Sequence, residues 1–340
     1  MSHEPVESPL AILETLRAFQ ASGALRAAIE LDIFTWIASG KRRAVELAAG
    51  AQASERGVRI LCDALAVMGF LVHQDDGYDL TPISQIYLNR NSLFYLGSIS
   101  SILTHDLMWR TFHNVADAVR RGGSMLELDG LAPDHPFWVE FATALAPAAS
   151  MTGAQIAEIL GAGAPGHEGW RVLDVACGSG FYGFAVAQRD QQAQITSVDW
   201  PAVLERTREF ARQAGVASRV RYLPGDLFKV DYGDGYDLAL LTNIYHHFDK
   251  TNCVRLSEKI FRALKPGGRA AILEFIPNDA RTGPPAAIMF SLTMLVWTPA
   301  GEAYTLADYR SILESAGFAE PVLHDLEHSP HQLLVAHRPR

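Results

Sequence analysis

The amino-acid sequence predicts a doubly wound α/β fold with a mostly parallel sheet, preceded by a helical domain of winged-helix type. A chain of 340 residues exceeds what one hydrophobic core usually organises, so two domains are expected. The C-terminal half alternates short apolar runs with helical stretches, whereas the N-terminal part carries helices followed by a short hairpin. The composition shifts to Gly, Ala and Pro over residues 161–169, and this shift predicts domains 1–160 and 161–340.

Composition and charge narrow the class of protein. Hydrophobic residues make up 49% and charged residues 20% of the chain, a balance typical of globular proteins. A net charge of −9 disfavours a nucleic-acid partner, because such binding depends on Lys and Arg neutralising phosphates. The longest nearly apolar stretch, residues 286–297, is shorter than the ~18 to 20 residues of a membrane span. Residues 1–9 lack the pattern of a signal peptide, so a cytoplasmic protein with no membrane partner is expected.

The cysteines and histidines do not indicate a metal site. Cys62, Cys177 and Cys253 are odd in number and lack metal-ligand spacing, which predicts reduced, buried thiols that act as apolar filler. His246 and His247 are adjacent on an irregular segment, so their side chains should diverge, and no third ligand lies nearby in the sequence. No metal is therefore expected.

The N-terminal elements follow from apolar spacing. Residues 10–38 carry apolar side chains at three- and four-residue steps, which predicts one or two helices with a buried stripe. Residues 45–80 have the pattern of helix, turn, helix and hairpin, with Asp76-Gly77 as the hairpin turn, and this order is that of a winged helix. Residues 1–100 hold eight Lys or Arg against eleven Asp or Glu, which argues against DNA binding by this module.

Residues 91–160 are predicted to be helical, and repeated βα units follow them. Apolar runs in the second half predict strands at 170–175, 194–199, 219–224, 236–243 and 269–275. The stretches between them predict helices at 202–214 and 249–264, among others.

The C-terminal part of the sequence contains signals for helix ends and helix caps. Residues 265–268 (KPGG) predict a helix stop followed by a turn. Thr305 with Asp308 three residues later predicts a capping box for the last helix, which should end at Gly317. Two closing strands are predicted at 322–325 and 333–337, the second of them antiparallel at the sheet edge.

Acidic residues follow three successive predicted strands. Asp174 begins a glycine-containing loop that ends at Gly180, while Asp199 and Asp226 follow the next two strands. Ligands of open α/β sheets bind at the carboxyl ends of the strands, near the switch in strand order. An acid in the turn itself would repel the pyrophosphate of a dinucleotide. The three carboxylates therefore indicate a ligand that is rich in donors or positive charge, and S-adenosylmethionine has this chemistry.

Five motifs in order resemble those of class I S-adenosylmethionine-dependent methyltransferases, which have a Rossmann-like sheet: VLDVACGSG, SVDWP, LPGDLF, NIYHHFD and LKPGGRAAILE. Together with the winged-helix N-terminus, they resemble the small-molecule O-methyltransferases of the caffeic acid O-methyltransferase type over nearly the whole chain. The resemblance implies S-adenosyl-L-methionine as cofactor, S-adenosyl-L-homocysteine as product and a homodimer formed through the N-terminal domain. It also implies a small-molecule methyl acceptor.

The same resemblance assigns roles to the residues at the strand ends. Asp174 and the loop to Gly180 would hold the methionine part, Asp199 the ribose hydroxyls, and Trp200 would pack on the adenine. The cofactor-binding residues implied in this way are Asp174, Ala176, Gly178, Gly180, Asp199, Trp200, Asp226, Leu227, Phe228, Thr242 and Asn243.

The family's general base matches His246 in NIYHHFD, and Glu274 matches an acid that orients this base. The second orienting acid falls at Ala303 in the family's spacing, so either the neighbouring Glu302 substitutes for it or this acid is absent. His247 stands where plant members have Asp, and Thr242 where they have a cofactor-contacting Lys. A His-His pair at this point is also common in methyltransferases that alkylate carbon.

Aromatic and apolar side chains are expected to enclose the methyl acceptor. The stretch 284–297 carries several of them at helical steps and belongs, by resemblance, to the acceptor pocket. The predicted acceptor-binding residues are Trp109, Phe137, Phe141, His247, Met289, Phe290, Thr293, Met294 and Trp297.

Three hypotheses about function follow. The first is transfer of a methyl group to a hydroxyl of a small, aromatic, natural-product-like molecule, with His246 as base. The second keeps the cofactor but changes the chemistry to carbon methylation or to a non-methylating reaction. The third is a winged-helix regulator that senses S-adenosylmethionine, against which the acidic wing argues.

Overall fold

The computed structural model describes residues 9–126, 135–319 and 321–340. Residues 1–8, which carry most of the segment considered for a signal peptide, lie outside this range. The chain separates into two compact units, Met1–Met108 and Trp109–Arg340. We expected the boundary near residue 160, but the second unit begins about 50 residues earlier, because the long helix before that point packs its alanine-rich face on the sheet domain.

The first unit contains a helical bundle and one hairpin. Its elements are α1 (Leu10–Arg17), α2 (Phe19–Glu30), α3 (Ile33–Ala38), α4 (Ala44–Ala51), α5 (Glu55–Val67), β1 (Leu71–Gln74), β2 (Gly77–Leu80), α6 (Pro82–Tyr87) and α7 (Ser100–Leu103). Residues 10–38 thus form three helices where one or two were predicted, since Asp32 adopts a left-handed conformation (φ 53°) between α2 and α3. The order α4, α5 and hairpin is the predicted winged-helix order.

The hairpin turn lies one residue earlier than predicted. Gln74 pairs with Gly77, so Asp75 and Asp76 form the two-residue loop and Gly77 is the first residue of β2. Gly77 has φ 146°, and a Cβ at this position would collide with the carbonyl group of Arg42. The glycine is therefore required by a close backbone approach and not by the turn itself.

The second unit alternates strands and helices as predicted. Helix α8 (Asp106–His113) spans the division between the units and is followed by α9 (Val115–Arg121), α10 (Phe137–Ile159), β3 (Arg171–Val175), α11 (Phe181–Arg189), β4 (Gln194–Asp199), α12 (Pro201–Gln213) and β5 (Val220–Pro224). The rest comprises β6 (Tyr236–Thr242), α13 (Lys250–Ala263), β7 (Leu264–Glu274), α14 (Pro285–Trp297), α15 (Leu306–Ser315), β8 (Val322–Asp325) and β9 (Gln332–His337).

Seven strands of the described chain form one sheet in the order β5-β4-β3-β6-β7-β9-β8. The first five are parallel and β9 is antiparallel to both of its neighbours, so the predicted doubly wound, mostly parallel sheet is confirmed. The prediction that the last strand forms the edge is wrong. The residues LLVA of β9 are buried, as expected of a strand that has a neighbour on each side. The first and last residues of β8 are exposed, which suits a strand at the edge of the sheet.

Strand β7 starts earlier than predicted. The residues expected as a helix stop and turn are part of the strand, because the pairing jumps from Tyr236↔Leu264 to Leu238↔Arg269 and leaves them as a bulge.

Apolar side chains of alternating sheet residues pack in two clusters, one on each face. Leu173 and Val175 belong to the cluster with α13 and α15, and Val172 to the cluster with α10 and α11. Cys62, Cys177 and Cys253 are buried free thiols, as predicted. In the part of the chain that the structure describes, none of the helices has both the length and the apolar character required to span a membrane.

The capping box predicted for the last helix is present. Thr305 Oγ1 accepts from the Asp308 N–H at 3.2 Å, and an Asp308 carboxylate oxygen accepts from the Thr305 N–H at 3.1 Å. We expect Thr305→Ala to lower the free energy of unfolding by about 1 kcal/mol in urea denaturation, because the Asp308 N–H loses its fixed partner. The exposed Ser311→Ala in the same helix is the matched control; an equal loss in both variants would contradict this role for the cap.

Candidate active site

The predicted cofactor residues collect at the point where the strand order reverses. Strand β3 lies between β4 and β6, and the three run parallel, so their carboxyl ends meet at one edge. Asp174 and the loop to Gly180 follow β3, Asp199 ends β4, and Asn243 follows β6. Such a switch point is where open α/β sheets bind ligands.

The loop after β3 has a backbone that only small residues fit easily. Ala176, Gly178 and Gly180 all have positive φ values of 53°, 53° and 83°. A Cβ on Gly180 would lie only 2.8 Å from Thr207 Cγ2 and would also collide with Phe184. Thr207 Oγ1 donates to the Gly178 carbonyl at 2.7 Å, which fastens the loop to α12.

Asp199 organises the loop from the neighbouring strand. One carboxylate oxygen accepts from the Gly178 N–H at 2.8 Å and the other from the Trp200 N–H at 2.7 Å. Burial raises the pKa of Asp199 to about 6, although these two hydrogen bonds favour the charged form. Trp200 is half-buried and immediately precedes Pro201, the first residue of α12.

Asp174 is fully buried, whereas we expected an open carboxylate at the edge. Its side chain lies beneath the loop against α11, where a Cβ on Gly183 would approach its Oδ2 to 2.8 Å. Neither carboxylate oxygen has a hydrogen-bond partner within the described chain. Burial, and then the charge of Asp199, raise the pKa of Asp174 to about 8.

Asn243 adds a third unpartnered oxygen at this edge. Its backbone is left-handed (φ 56°), its N–H donates to the Leu273 carbonyl at 2.9 Å, and its buried Oδ1 lacks a partner among the described residues. Thr242, the last residue of β6, is buried beside it. Buried acceptors normally find a donor, so these unpartnered oxygens at the switch point fit a bound group that is rich in donors.

The polar groups of the turn after β5 have hydrogen-bond and ion-pair partners within the protein. Asp226 accepts from the Phe228 N–H at 2.8 Å and pairs with Lys229 at 3.3 Å. The Leu227 carbonyl accepts from Lys259 Nζ at 2.7 Å. The Phe228 ring meets the Phe248 ring edge-on, with centroids 5.0 Å apart. The Lys259 contact thus ties this turn to α13.

Glu274 and His246 form a buried pair. Glu274 ends β7, and its Oε1 accepts from the N–H groups of Ile244 and Tyr245, both at 2.9 Å. Its Oε2 lies 2.6 Å from His246 Nδ1. Because a carboxylate only accepts, Nδ1 carries the proton and Nε2 keeps its lone pair. The imidazole is therefore held in the tautomer that a base requires.

Glu302, the other predicted acid, is engaged elsewhere. It is half-exposed and pairs with Arg281 at 3.2 Å, and Arg281 also reaches Asp308 at 3.4 Å. The neighbouring Gly301 packs so closely on the His246 carbonyl that any Cβ would overlap it. The segment thus contacts His246 through backbone, and the ion pair of Glu302 with Arg281 favours the alternative in which the second orienting acid is absent.

An aromatic cluster surrounds the His246–Glu274 pair on the α10 side. The rings of His246 and His247 have centroids 4.5 Å apart, and Trp138 meets His247 edge-on at 6.0 Å. Phe137 contacts Trp138 at 5.4 Å and Trp297 at 5.2 Å. Phe141 continues the cluster from Phe137 at 5.8 Å. Burial, together with His246, lowers the pKa of His247 well below its usual range, so this imidazole is neutral.

The cluster continues on the other side of the base. Phe290 of α14 meets His246 edge-on at 4.7 Å and stacks on Phe275 at 4.1 Å with an interplanar angle of 23°. Phe275 in turn contacts His331 at 4.1 Å. Trp138, Phe275 and His331 were not predicted as site residues. Phe275 and His331 meet only because β7 pairs with β9, whereas Trp138 lies in α10 beside the predicted Phe137.

The remaining predicted acceptor residues differ in placement. Met294 and Trp297 are buried on the cluster side of α14, Thr293 is half-buried, and Met289 is 58% exposed. Trp109 lies in α8 and is 39% exposed. Because α14 is apolar on all sides, its sequence alone does not show which face lines the site.

The site is that of a ligand-binding α/β enzyme, and comparison with known proteins specifies its family. The model of the O-methyltransferase domain matches residues 132–319, and that of the O-methyltransferase dimerisation domain matches residues 13–90. The tetracenomycin polyketide synthesis 8-O-methyl transferase of Streptomyces glaucescens is 28% identical and the match covers 99% of each chain. The acetylserotonin O-methyltransferase of Mus musculus is 29% identical over 91% of this chain and 83% of its own.

A solved structure supports the same family. A candidate O-methyltransferase from Nostoc punctiforme is 42% identical, with a TM-score of 0.91 and coverage of 98% of this chain and 99% of its own. The chain therefore belongs to the O-methyltransferase family and is an enzyme. The resemblance of its motifs to class I S-adenosylmethionine-dependent methyltransferases is confirmed.

The raised pKa of Asp174 predicts how the stability of the protein depends on pH. Its folded-state pKa lies above the unfolded value of about 3.9, so between about pH 4 and pH 8 the folded state retains a proton that the unfolded state has lost. This group therefore lowers stability progressively as the pH rises through that window. Asp174→Asn should remove the loss and raise the free energy of unfolding relative to wild type by up to about 5 kcal/mol at pH 8.

The measurement is urea denaturation of wild type and Asp174→Asn between pH 4 and pH 8. The difference should shrink towards zero at pH 4. Asp234→Asn, at an exposed position of the same unit, is the matched control and should show no such trend. A pH-independent difference for Asp174→Asn would contradict a neutral, buried carboxyl.

Proposed function

We propose that this enzyme transfers a methyl group from S-adenosylmethionine to a hydroxyl of a small aromatic molecule, with His246 as general base. The observation that carries the proposal is the buried Glu274–His246 pair, in which the carboxylate holds Nδ1 and leaves Nε2 basic. The cluster of aromatic side chains around this pair supports an aromatic acceptor.

S-adenosylmethionine supplies a methyl group on a positively charged sulfur and carries an ammonium, a ribose diol and an adenine amine. The switch-point residues fit it, since they offer unpartnered carboxyl and amide oxygens and a glycine loop that permits close approach. Asp174, Asp199, the loop and Asn243 would hold it. Human N-acetylserotonin methyltransferase, solved with S-adenosylmethionine, has the same fold, with a TM-score of 0.85.

The proton of the acceptor hydroxyl goes to His246 Nε2. A phenol has a pKa near ~10 and an imidazole near ~6.5, so a positioned imidazole accepts the proton only as the oxygen forms its new bond. The Glu274 carboxylate stabilises the imidazolium that forms, because its Oε2 already lies 2.6 Å from Nδ1. Apolar rings around the pair exclude water and hold the acceptor, and positioning of this kind supplies a large share of the rate.

The relatives give the reaction type a natural-product context. Among them are the tetracenomycin enzyme named above and a 3-hydroxy-5-methyl-1-naphthoate 3-O-methyltransferase of Streptomyces sahachiroi, which is 27% identical. The name of the second describes a hydroxyl on a naphthalene ring, and this chain's aromatic cluster is suited to planar acceptors of that kind. Carbon methylation remains the alternative in which His246 is dispensable.

The base can be tested through its tautomer. In Glu274→Gln the amide oxygen still accepts from the backbone N–H groups, but the NH₂ group then faces His246 Nδ1 and moves the ring proton to Nε2. We expect kcat for a phenol found by a labelled-cofactor screen to fall about 10²- to 10⁴-fold, as it should in His246→Ala. Binding of S-adenosylhomocysteine, measured by calorimetry, should be unchanged.

Glu302→Gln distinguishes the two predicted acids. Its ion pair with Arg281 predicts that kcat stays within about threefold of wild type, because an exposed pair contributes little. A loss as large as that of Glu274→Gln would make Glu302 the orienting acid. Normal turnover of His246→Ala, with the label on carbon, would replace the proposal by carbon methylation.

We also propose that the enzyme is a homodimer formed through its first unit. The dimerisation-domain match begins in α1, and this helix is unusually apolar for an exposed one. Large apolar side chains with 45% to 69% exposure cover α1 and the start of α2: Leu10, Ile12, Leu13, Leu16 and Phe19. A contiguous apolar surface of this kind is typical of a subunit interface.

Charges on this surface should separate the subunits. We expect the double variant Leu13→Asp with Leu16→Asp to elute as a monomer in size-exclusion chromatography with light scattering, because two carboxylates would have to be desolvated at the interface. Val322→Asp on β8, where the side chain is also half-exposed, is the matched control and should stay dimeric. A double variant that remains dimeric would place the interface elsewhere.

A further inference from the structure

A third histidine reaches the edge of the sheet that carries the base. Strand β9 runs antiparallel to β7, and the last pair of their register is Glu274 with Gln332. Continuing this register by one residue places Phe275 opposite His331, on the sheet face opposite to Glu274. The topology thus brings a residue near the C-terminus of the chain to the edge at which the His246–Glu274 pair lies.

Ring contacts connect His331 to the base. Its imidazole centroid lies 4.1 Å from that of Phe275, which stacks on Phe290, and Phe290 meets His246 edge-on. His331 is half-buried. It therefore extends the aromatic cluster that we propose for the acceptor.

A serine two residues earlier contacts Nδ1 of this imidazole. Ser329 Oγ accepts from the His331 N–H at 3.2 Å and lies 3.3 Å from His331 Nδ1. The Ser329 hydroxyl can donate its proton to Nδ1, and in that arrangement Nε2 carries the ring proton. Burial, together with His246, lowers the pKa of His331 to about 4, so the ring is a neutral hydrogen-bond donor at neutral pH.

We propose that His331 is a specificity-determining residue, which donates a hydrogen bond from Nε2 to a second oxygen of the acceptor. The inference rests on the proposed function and names the acceptor class more closely: an aromatic molecule with one hydroxyl at His246 and a further hydroxyl or carbonyl oxygen at His331. A neutral donor suits an uncharged oxygen and offers no ion pair to a carboxylate.

The experiment compares acceptors that differ only in the second oxygen. The probes are 1,3-, 1,5-, 1,8- and 2,7-dihydroxynaphthalene, which differ in the spacing of their two hydroxyls. The matching compounds with a single hydroxyl are 1-naphthol and 2-naphthol. Wild type should have a higher kcat/KM for at least one diol than for its naphthol. His331→Phe keeps the ring contact with Phe275 but has no donor, and should lower that preference about 3- to 10-fold, mainly through KM.

Two further variants separate recognition from folding. His331→Gln keeps an N–H donor at similar reach and should restore part of the preference. His337→Phe, at the opposite end of the same strand, is the matched control and should leave the preference at the wild-type value. A purely structural role for His331 would lower kcat/KM for the naphthols and the diols equally.

The outcomes distinguish this inference from the proposed function. Transfer to the naphthols with an unchanged preference in His331→Phe would overturn the role of His331 and leave His246 as base. If wild type binds S-adenosylhomocysteine but methylates none of the probes on oxygen, the proposed function is contradicted. In that case calorimetry measures the affinity of the enzyme for the same probes and tests the role of His331. Equal affinities for the diols and the naphthols would overturn that role.

Discussion

The carboxylate of Glu274 is the group on which the geometry of the site depends. It is fully buried at the end of β7, and a buried carboxylate is costly unless donors surround it. Three donors do so, the N–H groups of Ile244 and Tyr245 and the Nδ1–H group of His246. The Glu274 carboxylate therefore fixes both the backbone that follows β6 and the imidazole that this backbone carries, so contacts within the protein alone position the His246 ring.

The cofactor edge shows the opposite condition. Asp174 and Asn243 place acceptor oxygens in a buried environment and leave them without partners in the described chain. Positive φ values at Ala176 and Asn243 add backbone strain on both sides of the switch point. The fold tolerates these costs because a donor-rich ligand can compensate for them, and the free energy released on satisfying these groups then contributes to binding. The protein alone thus satisfies the Glu274–His246 pair, whereas it leaves oxygens of Asp174 and Asn243 without partners in the described chain.

Local signals account for what could be predicted from the sequence. The strand and helix positions follow from apolar periodicity, and the cap at Thr305 follows from residues three apart, so both lie within reach of a local pattern. Errors occurred where a longer-range contact decides the outcome. Gly77 was placed in a turn although a backbone approach by Arg42 requires it, and the last strand was placed at an edge although β8 covers it. Phe275 and His331 lack any local signal of proximity, because only the antiparallel pairing of β7 with β9 brings them together.

The two halves of the site differ in predictability for a physical reason. Cofactor residues lie directly after parallel strands, and parallel strands align their carboxyl ends whatever the order of the sheet. The acceptor side is assembled from α10, from the stretch around Phe290, and from β9, which inserts antiparallel between β7 and β8. Because β9 enters from the opposite direction, its first residues reach the carboxyl edge, and His331 joins the base at that edge. The proposed acceptor contact of His331 therefore arises where the sheet departs from parallel pairing, and substitutions just before β9 are expected to affect it without disturbing the residues that follow the parallel strands.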